Sequence, residues 1–263
     1  MDMLKRSLAP LSKEAWEEIE ETTAKVLKTH LSARKVVKVD GPKGWDFNAV
    51  TNGRLELLPE NNGEVKTGMY SVKPLVETRI SFELDRWEMD NIIRGAKDIE
   101  LDSLEEAAEK VAAFEENTIY NGYKDGGIKG LCEVAEHNLS FGNEPNGILE
   151  SISAGVLKLQ HAYSSGPYTL IVGDEGWKLI NKTSQGYPLK KLIEDFLKTE
   201  IVYSKELEGA LLVPYDHEDL EMTIGQDFSI GYEGHDNKKV KLFITESFTF
   251  RVLDPSLVVK YNI

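Results

Sequence analysis

Thr51-Asn-Gly-Arg-Leu-Glu-Leu-Leu-Pro-Glu-Asn-Asn-Gly-Glu-Val-Lys-Thr-Gly-Met-Tyr-Ser-Val-Lys-Pro74 is the stretch that decides how the rest of the chain is read. It holds no durable helical period, and Gly53, Pro59, Gly63, Gly68 and Pro74 interrupt any helical register. Asn61-Asn62-Gly63 stands between Leu55-Glu-Leu-Leu58 and Val65. An Asn-Gly pair between apolar runs is a hairpin signal, so the spacing predicts a long two-stranded excursion. An isolated hairpin is marginal in water because it has little to bury. This arm therefore needs a surface outside itself, such as a neighbouring chain.

The segments on either side are regular. Ahead of the arm, Ser12 is an N-cap and Glu14 an acid in the first turn of a helix. Trp16, Ile19, Thr23, Val26, Leu27 and His30 recur along it at helical spacing. Val37 and Val39 alternate with Lys38 and Asp40 as a strand, which Gly41-Pro-Lys-Gly-Trp45 ends. Behind the arm, Val76, Thr78, Ile80, Phe82 and Leu84 form one face of a strand. A short helix around Arg86–Ile93 stops near Gly95. The best helix follows: Ser103 and Glu106 read as a capping box, and Leu104, Ala107, Ala108, Val111, Phe114, Thr118 and Ile119 form its apolar stripe.

From about 133 to 217 helix and strand alternate, which predicts a compact subdomain. A helix carries Ile148, Ile152, Val156, Leu159 and Tyr163, and Gly166-Pro167 opens a buried strand, Tyr168–Val172. Asp174 starts one short helix and Gly186-Tyr-Pro188 another, with Pro188 at its first position, and short strands cover 201–203 and 210–213. The C-terminal part returns to strands. Phe228, Ile230 and Tyr232 share one face; Leu242, Ile244, Phe248, Phe250 and Val252 share another, with Glu246 as its polar exception.

Composition narrows the function. Among 263 residues, Lys plus Arg is 31 and Asp plus Glu is 45, a net charge of −14 that repels phosphate backbones. The densest basic clusters are only Lys190-Lys191 and Lys238-Lys239, so no nucleic-acid partner is expected. The single Cys132 excludes an intramolecular disulfide framework and reads as a small buried apolar residue. No apolar run approaches a membrane span, and the N-terminus lacks a secretory pattern, so a soluble intracellular protein is expected. No two of the five histidines have the spacing of a zinc protease, and there is no Gly-x-Ser-x-Gly elbow, P-loop or dinucleotide fingerprint. Gly126–Gly130 reads as a tight turn and Tyr215–Asp219 as a solvated loop. Neither a catalytic residue nor a metal site is expected, and the chain is not read as an enzyme.

Longer strings point to a family. Leu4-Lys-Arg-Ser-Leu-Ala-Pro-Leu11 with Trp16 and Ile19, Ala33-Arg-Lys-Val-Val-Lys-Val-Asp-Gly-Pro-Lys-Gly-Trp45, and Trp87-Glu-Met-Asp-Asn91 with Arg94-Gly95 come first. Gly127-Ile-Lys-Gly-Leu131, Gly166-Pro-Tyr-Thr-Leu-Ile-Val172, Ile224-Gly-Gln-Asp-Phe-Ser-Ile-Gly-Tyr-Glu233 and Leu242-Phe-Ile-Thr-Glu-Ser-Phe-Thr-Phe250 follow in order. With these strings the chain resembles, end to end, the encapsulins, shell proteins of bacterial and archaeal nanocompartments.

The resemblance implies an α+β chain with the major-capsid-protein fold of tailed bacteriophages. Residues 1–49 would hold the N-terminal helix and the first part of a peripheral domain, and 50–75 an extended loop. Residues 76–132 would continue the peripheral domain with its spine helix. Residues 133–217 would form an axial domain, and 218–263 the C-terminal strands of the peripheral domain. It also implies a homo-oligomer, an icosahedral cytoplasmic shell of about sixty chains in its smallest form. Such a shell encloses a cargo enzyme, a ferritin-like iron oxidase for iron storage or a dye-decolourising peroxidase, through the cargo's C-terminal targeting peptide. The implied peptide contacts are Val26, His30, Arg34, Lys38, Phe228, Ile230 and Tyr232. The implied pore lining is Lys182, Thr183, Ser184, Gln185, Gly186 and Tyr187. Some members bind a flavin (FMN) on the outer surface, and the matching residues here are Trp87 and Arg79. A phage or prophage capsid protein is the alternative, and a soluble hydrolase a more distant one.

Overall fold

A computed structural model of the chain describes residues 3–59, 65–182, 184–185 and 187–263. A 3-10 turn, Arg6–Leu8, leads into helix α1, Lys13–His30, whose first turn is capped as expected: the Ala15 N–H donates to Ser12 Oγ at 3.2 Å. Strand β1, Lys38–Asp40, precedes the arm, which is β2, Ala49–Leu57, paired antiparallel with β3, Gly68–Pro74. The expected turn at Asn61-Asn62-Gly63 lies outside the described residues. Gly53 takes φ 63° where β2 bulges between Thr51 and Arg54, a left-handed conformation that glycine adopts without a Cβ clash.

Strand β4, Val76–Asp85, runs into α2, Arg86–Ile93. Asp85 caps α2, its carboxylate accepting from the N–H groups of Trp87 (2.8 Å) and Glu88 (3.2 Å). Helix α3 spans Asp102–Asn121. Its expected capping box does not form. Leu101 is the N-cap and makes no side-chain cap bond, and Ser103 Oγ instead donates to the Glu83 carbonyl at 2.7 Å. A bond across to β4 has displaced the local one.

The chain continues through α4 (Leu131–Val134), β5 (His137–Ser140), α5 (Pro145–His161), β6 (Tyr168–Val172) and α6 (Asp174–Lys182). Then come β7 (Ser184–Gln185), β8 (Tyr187–Pro188), α7 (Leu189–Leu197), β9 (Val202–Tyr203) and β10 (Ala210–Pro214). Strands β11 (Leu220–Ile224), β12 (Ser229–His235), β13 (Lys239–Val252) and β14 (Val259–Asn262) complete it.

Two sheets organise these elements. In the first, β13 is the central strand: β4 pairs along Lys239–Phe248, and β12 and β11 run in line along its other edge. Strand β1 lies parallel beside β11. In the second, the order is β5-β14-β10-β6-β9. The even-numbered face of β13 is buried from Val240 to Phe250. Leu242 and Ile244 pack under α1 and α3 with Ile19, Leu27, Phe82 and Leu104; Phe248 and Phe250 pack against Ile171, Leu211 and Val213 of the second sheet. That sheet buries its other face, Leu170, Leu212 and Tyr261, under α5 and α7. Glu246 sits at the seam between the two parts of the face.

One expected boundary is corrected. Residues 218–263 do not stay together, because β14 inserts between β5 and β10 in the second sheet. Val259 and Tyr261 are fully buried there, and α5 comes so close that a Cβ on Gly155 would lie 2.0 Å from the Tyr261 hydroxyl. Periodicity identifies a strand but not the sheet that receives it.

Candidate assembly arm and docking groove

The arm is amphipathic. Leu55 faces Tyr70 and Leu57 faces Gly68 across the ribbon, so these side chains share one side, with Val72 two positions beyond Tyr70. Arg54, Glu56, Ser71 and Lys73 take the other side, with Met69. Among the described residues nothing covers the apolar side: Leu57 and Tyr70 are each 76% exposed, Leu55 52% and Val72 50%. Lys73 fastens the base of the arm, donating to the Gly127 carbonyl.

A groove of about 280 Å³ opens between α1 and β12. Thr23 and Leu27 line it from α1, Phe228 and Ile230 from the start of β12, and Leu4 and Arg6 from the N-terminal segment. Of the seven expected peptide contacts, Phe228 and Ile230 lie in this groove. Val26 and Tyr232 are half-buried and pack against the same core. The Tyr232 hydroxyl bonds His235 Nδ1. His30 closes the end of α1, its ring bonded to the Val26 carbonyl at 2.9 Å and its Nε2 3.9 Å from Glu109.

Lys38 is not brought there. It pairs in register with Glu221, which faces Arg251, whereas Ile230 faces Ile244. Seven residues of β13 separate these positions, about 23 Å along an extended strand. Lys38 Nζ instead lies 3.3 Å from Asp216.

Arg34 lies beneath the groove and is fully engaged. Its guanidinium reaches Glu115 (2.7 Å), Asp227 (2.9 Å) and Glu246, and lies 5.0 Å above the Phe228 ring. Glu115 and Glu246 are completely buried. Arg34 therefore pins the Asp227–Phe228 stretch, where β11 gives way to β12, to α3 and β13. Burial first, and then the charge of Glu115, holds the Glu246 carboxyl well above the usual carboxylate range. A third buried acid, Glu116, accepts from the Ala33 N–H (2.7 Å), Ser204 Oγ (3.1 Å) and Ser32 Oγ, and burial pushes its pKa up to about 7. The sequence carried a signal for this network: an acid on an otherwise apolar strand face requires a partner.

Trp87 and Arg79 are placed apart. Trp87 opens α2 and is 68% exposed, with the Arg94 guanidinium 5.7 Å above its ring. Arg79 lies on the exposed face of β4, stacked 4.3 Å over Phe243 and 3.2 Å from Glu77. Six residues of β4 separate Arg79 from Asp85, about 20 Å. One chain does not bring the pair together. In the expected pore loop, β7 and β8 form a short antiparallel pair that places the backbone of Ser184, Gln185 and Tyr187 just after Lys182. Thr183 and Gly186 lie outside the described residues. Among the described residues no cluster of three or more His, Cys, Asp or Glu could hold a metal ion, and no helix is long and apolar enough to cross a membrane.

Comparison with known proteins agrees with this architecture. A family model described as "Encapsulating protein for peroxidase" matches residues 1–249. The type 1 encapsulin shell protein of Rhodospirillum rubrum is 36% identical, covering 98% of this chain and 96% of its own. That of Rhodococcus erythropolis is 34% identical, covering 98% and 99%. Among solved structures, the virus-like particle of Pyrococcus furiosus superposes with a TM-score of 0.69 at 14% identity, covering 94% of this chain and 99% of that one. The capsid of Myoviridae phage XM1 gives 0.60 at 13%, covering 89% and 92%. The fold is thus that of tailed-phage capsid proteins, and by sequence the chain belongs to the type 1 encapsulin shell protein family.

Proposed function

We propose that copies of this chain close into a cytoplasmic icosahedral shell, about sixty in its smallest form, around a cargo enzyme. The observation that carries assembly is the arm, whose apolar side has no cover among the described residues. Heterologous contacts between identical chains either close or grow without limit, and a shell closes them. The cargo's C-terminal peptide docks in the α1–β12 groove, its apolar side chains against Phe228 and Ile230. A peroxidase is the cargo the family description favours; a ferritin-like iron oxidase is the other candidate. The loop Lys182–Tyr187 passes small solutes. Packaged nucleic acid is disfavoured by the net charge of −14.

Size-exclusion chromatography and negative-stain electron microscopy of the purified protein test the shell. Uniform hollow particles are expected, and a stable monomer or dimer that never assembles would refute it. An outer-surface flavin stacked on Trp87 is tested by equilibrium dialysis of the shell against FMN. Binding should disappear in Trp87→Ala, and binding unchanged by that substitution removes Trp87 from the site.

A further inference from the structure

Leu4 occupies the position that an incoming strand would take. Strand β12 gives one edge to β13, and on the other edge its Tyr232 N–H donates to the Leu4 carbonyl at 2.7 Å. The chain then turns at Lys5, whose φ of 49° is left-handed and disfavoured for a residue with a Cβ. It continues through the turn Arg6–Leu8, none of whose residues is buried. Arg6 fastens this segment to α1 by an ion pair with Glu20 (2.5 Å) and by stacking 4.1 Å over Trp16. Partly exposed ion pairs and cation–π contacts are individually weak. The segment thus lines the groove, holds a backbone donor of its edge strand, and is fastened at Arg6 by contacts that are readily exchanged.

We propose that Leu4–Leu8 is a displaceable strap. An extended peptide would dock by placing one of its own carbonyls on the Tyr232 N–H in place of Leu4, adding a strand to β12. This deepens the groove reading above and rests on it. The chemistry selects an extended main chain with apolar side chains at alternate positions, facing Phe228 and Ile230. Because Arg34 is engaged with three carboxylates and Lys38 lies elsewhere, no acidic group on the peptide is needed to meet either.

The test uses assembled shells produced together with a fluorescent reporter protein. The reporter carries a C-terminal probe peptide of leucines alternating with serine and glycine, and is kept below saturation. Arg6→Ala removes both the Glu20 and Trp16 contacts and should raise reporter loading per chain about fivefold. On loading, hydrogen exchange should show the Leu8 and Ala9 amides, now bonded to the Lys5 and Arg6 carbonyls, losing protection while the Tyr232 amide keeps it. Equal loading in parent and Arg6→Ala, with the Leu8 and Ala9 amides unchanged, would overturn the strap and leave the groove standing. No loading in either, or loading indifferent to Phe228→Ser, would overturn the groove reading and the strap with it.

Discussion

Leu57→Thr combined with Tyr70→Thr should cripple shell assembly without unfolding the chain. Both side chains sit on the uncovered side of the arm, and each is 76% exposed in the single chain. Fully burying a leucine yields about 2 kcal/mol, so Leu57 has about 1.5 kcal/mol to gain from a neighbour, and the larger Tyr70 at least as much. The double variant therefore loses about 3 kcal/mol per arm contact. At about 1.4 kcal/mol per decade, the chain concentration needed for assembly rises about a hundredfold. Threonine keeps a strong preference for extended backbone, so the pairing of β2 with β3 is not the quantity measured. The assay is light scattering against chain concentration, with particles counted by negative-stain microscopy. Circular dichroism verifies that the chain stays folded. Glu56→Thr, on the polar side of the same ribbon, is the control and should leave the threshold unchanged. A double variant that assembles at the parent's concentration, or a control that fails equally, would refute the argument that the apolar side is what the neighbour covers.

Three other outcomes follow from the buried charges. Arg34→Ala leaves the buried Glu115 and Glu246 without their cation and should cost about 3–5 kcal/mol in urea unfolding, measured at matched chain concentration. A variant as stable as the parent that had lost only cargo loading would restore Arg34 as a peptide contact. The same variant should be less impaired at pH 5 than at pH 8, because burial holds the Glu246 carboxyl well above the usual carboxylate range and its protonation removes uncompensated charge; an equal loss at both would contradict this. Glu116 has a folded-state pKa of about 7 against an ordinary 4.5, so its contribution to stability is complete below pH 4.5 and lost as pH rises through 7. Over that interval of about 2.5 units the loss is about 3 kcal/mol. Glu116→Gln can keep the Ala33 N–H bond and donate to the two serine hydroxyls, so its stability should fall by that much less between pH 4.5 and 7. An identical pH dependence would show that Glu116 does not titrate there.

The groove shows how far residue patterns reach. Helix α1 was legible because Trp16, Ile19, Thr23, Val26 and Leu27 repeat on one face behind a serine cap. Strand β4 was legible because Val76 to Leu84 alternate. The pattern that made α3 clear also misled at its start, since Ser103 bonds the Glu83 carbonyl rather than its own helix. Local spacing carries no information about a competing acceptor on another strand. Phe228 and Ile230 were placed in the groove because resemblance supplied the site and alternation supplied the face. Lys38 and Arg34 were grouped with them on the same grounds, but a strand register moved the first away and three carboxylates from distant segments engaged the second.

By itself, the sequence determined the types of the longer elements, such as α1, β4 and α3, and their amphipathic faces, and it pointed to the need of the arm for a partner. Each of these depends on residues within a few positions of one another, where periodicity and turn chemistry act. Only the tertiary structure decided that β14 belongs to the second sheet, that Arg34 is a pin beneath the groove, and that Leu4 lies on the edge of β12. These are contacts between residues 47 to 228 positions apart in the chain. They are set by which buried polar groups must find partners once the apolar faces have packed, and no local pattern encodes that choice.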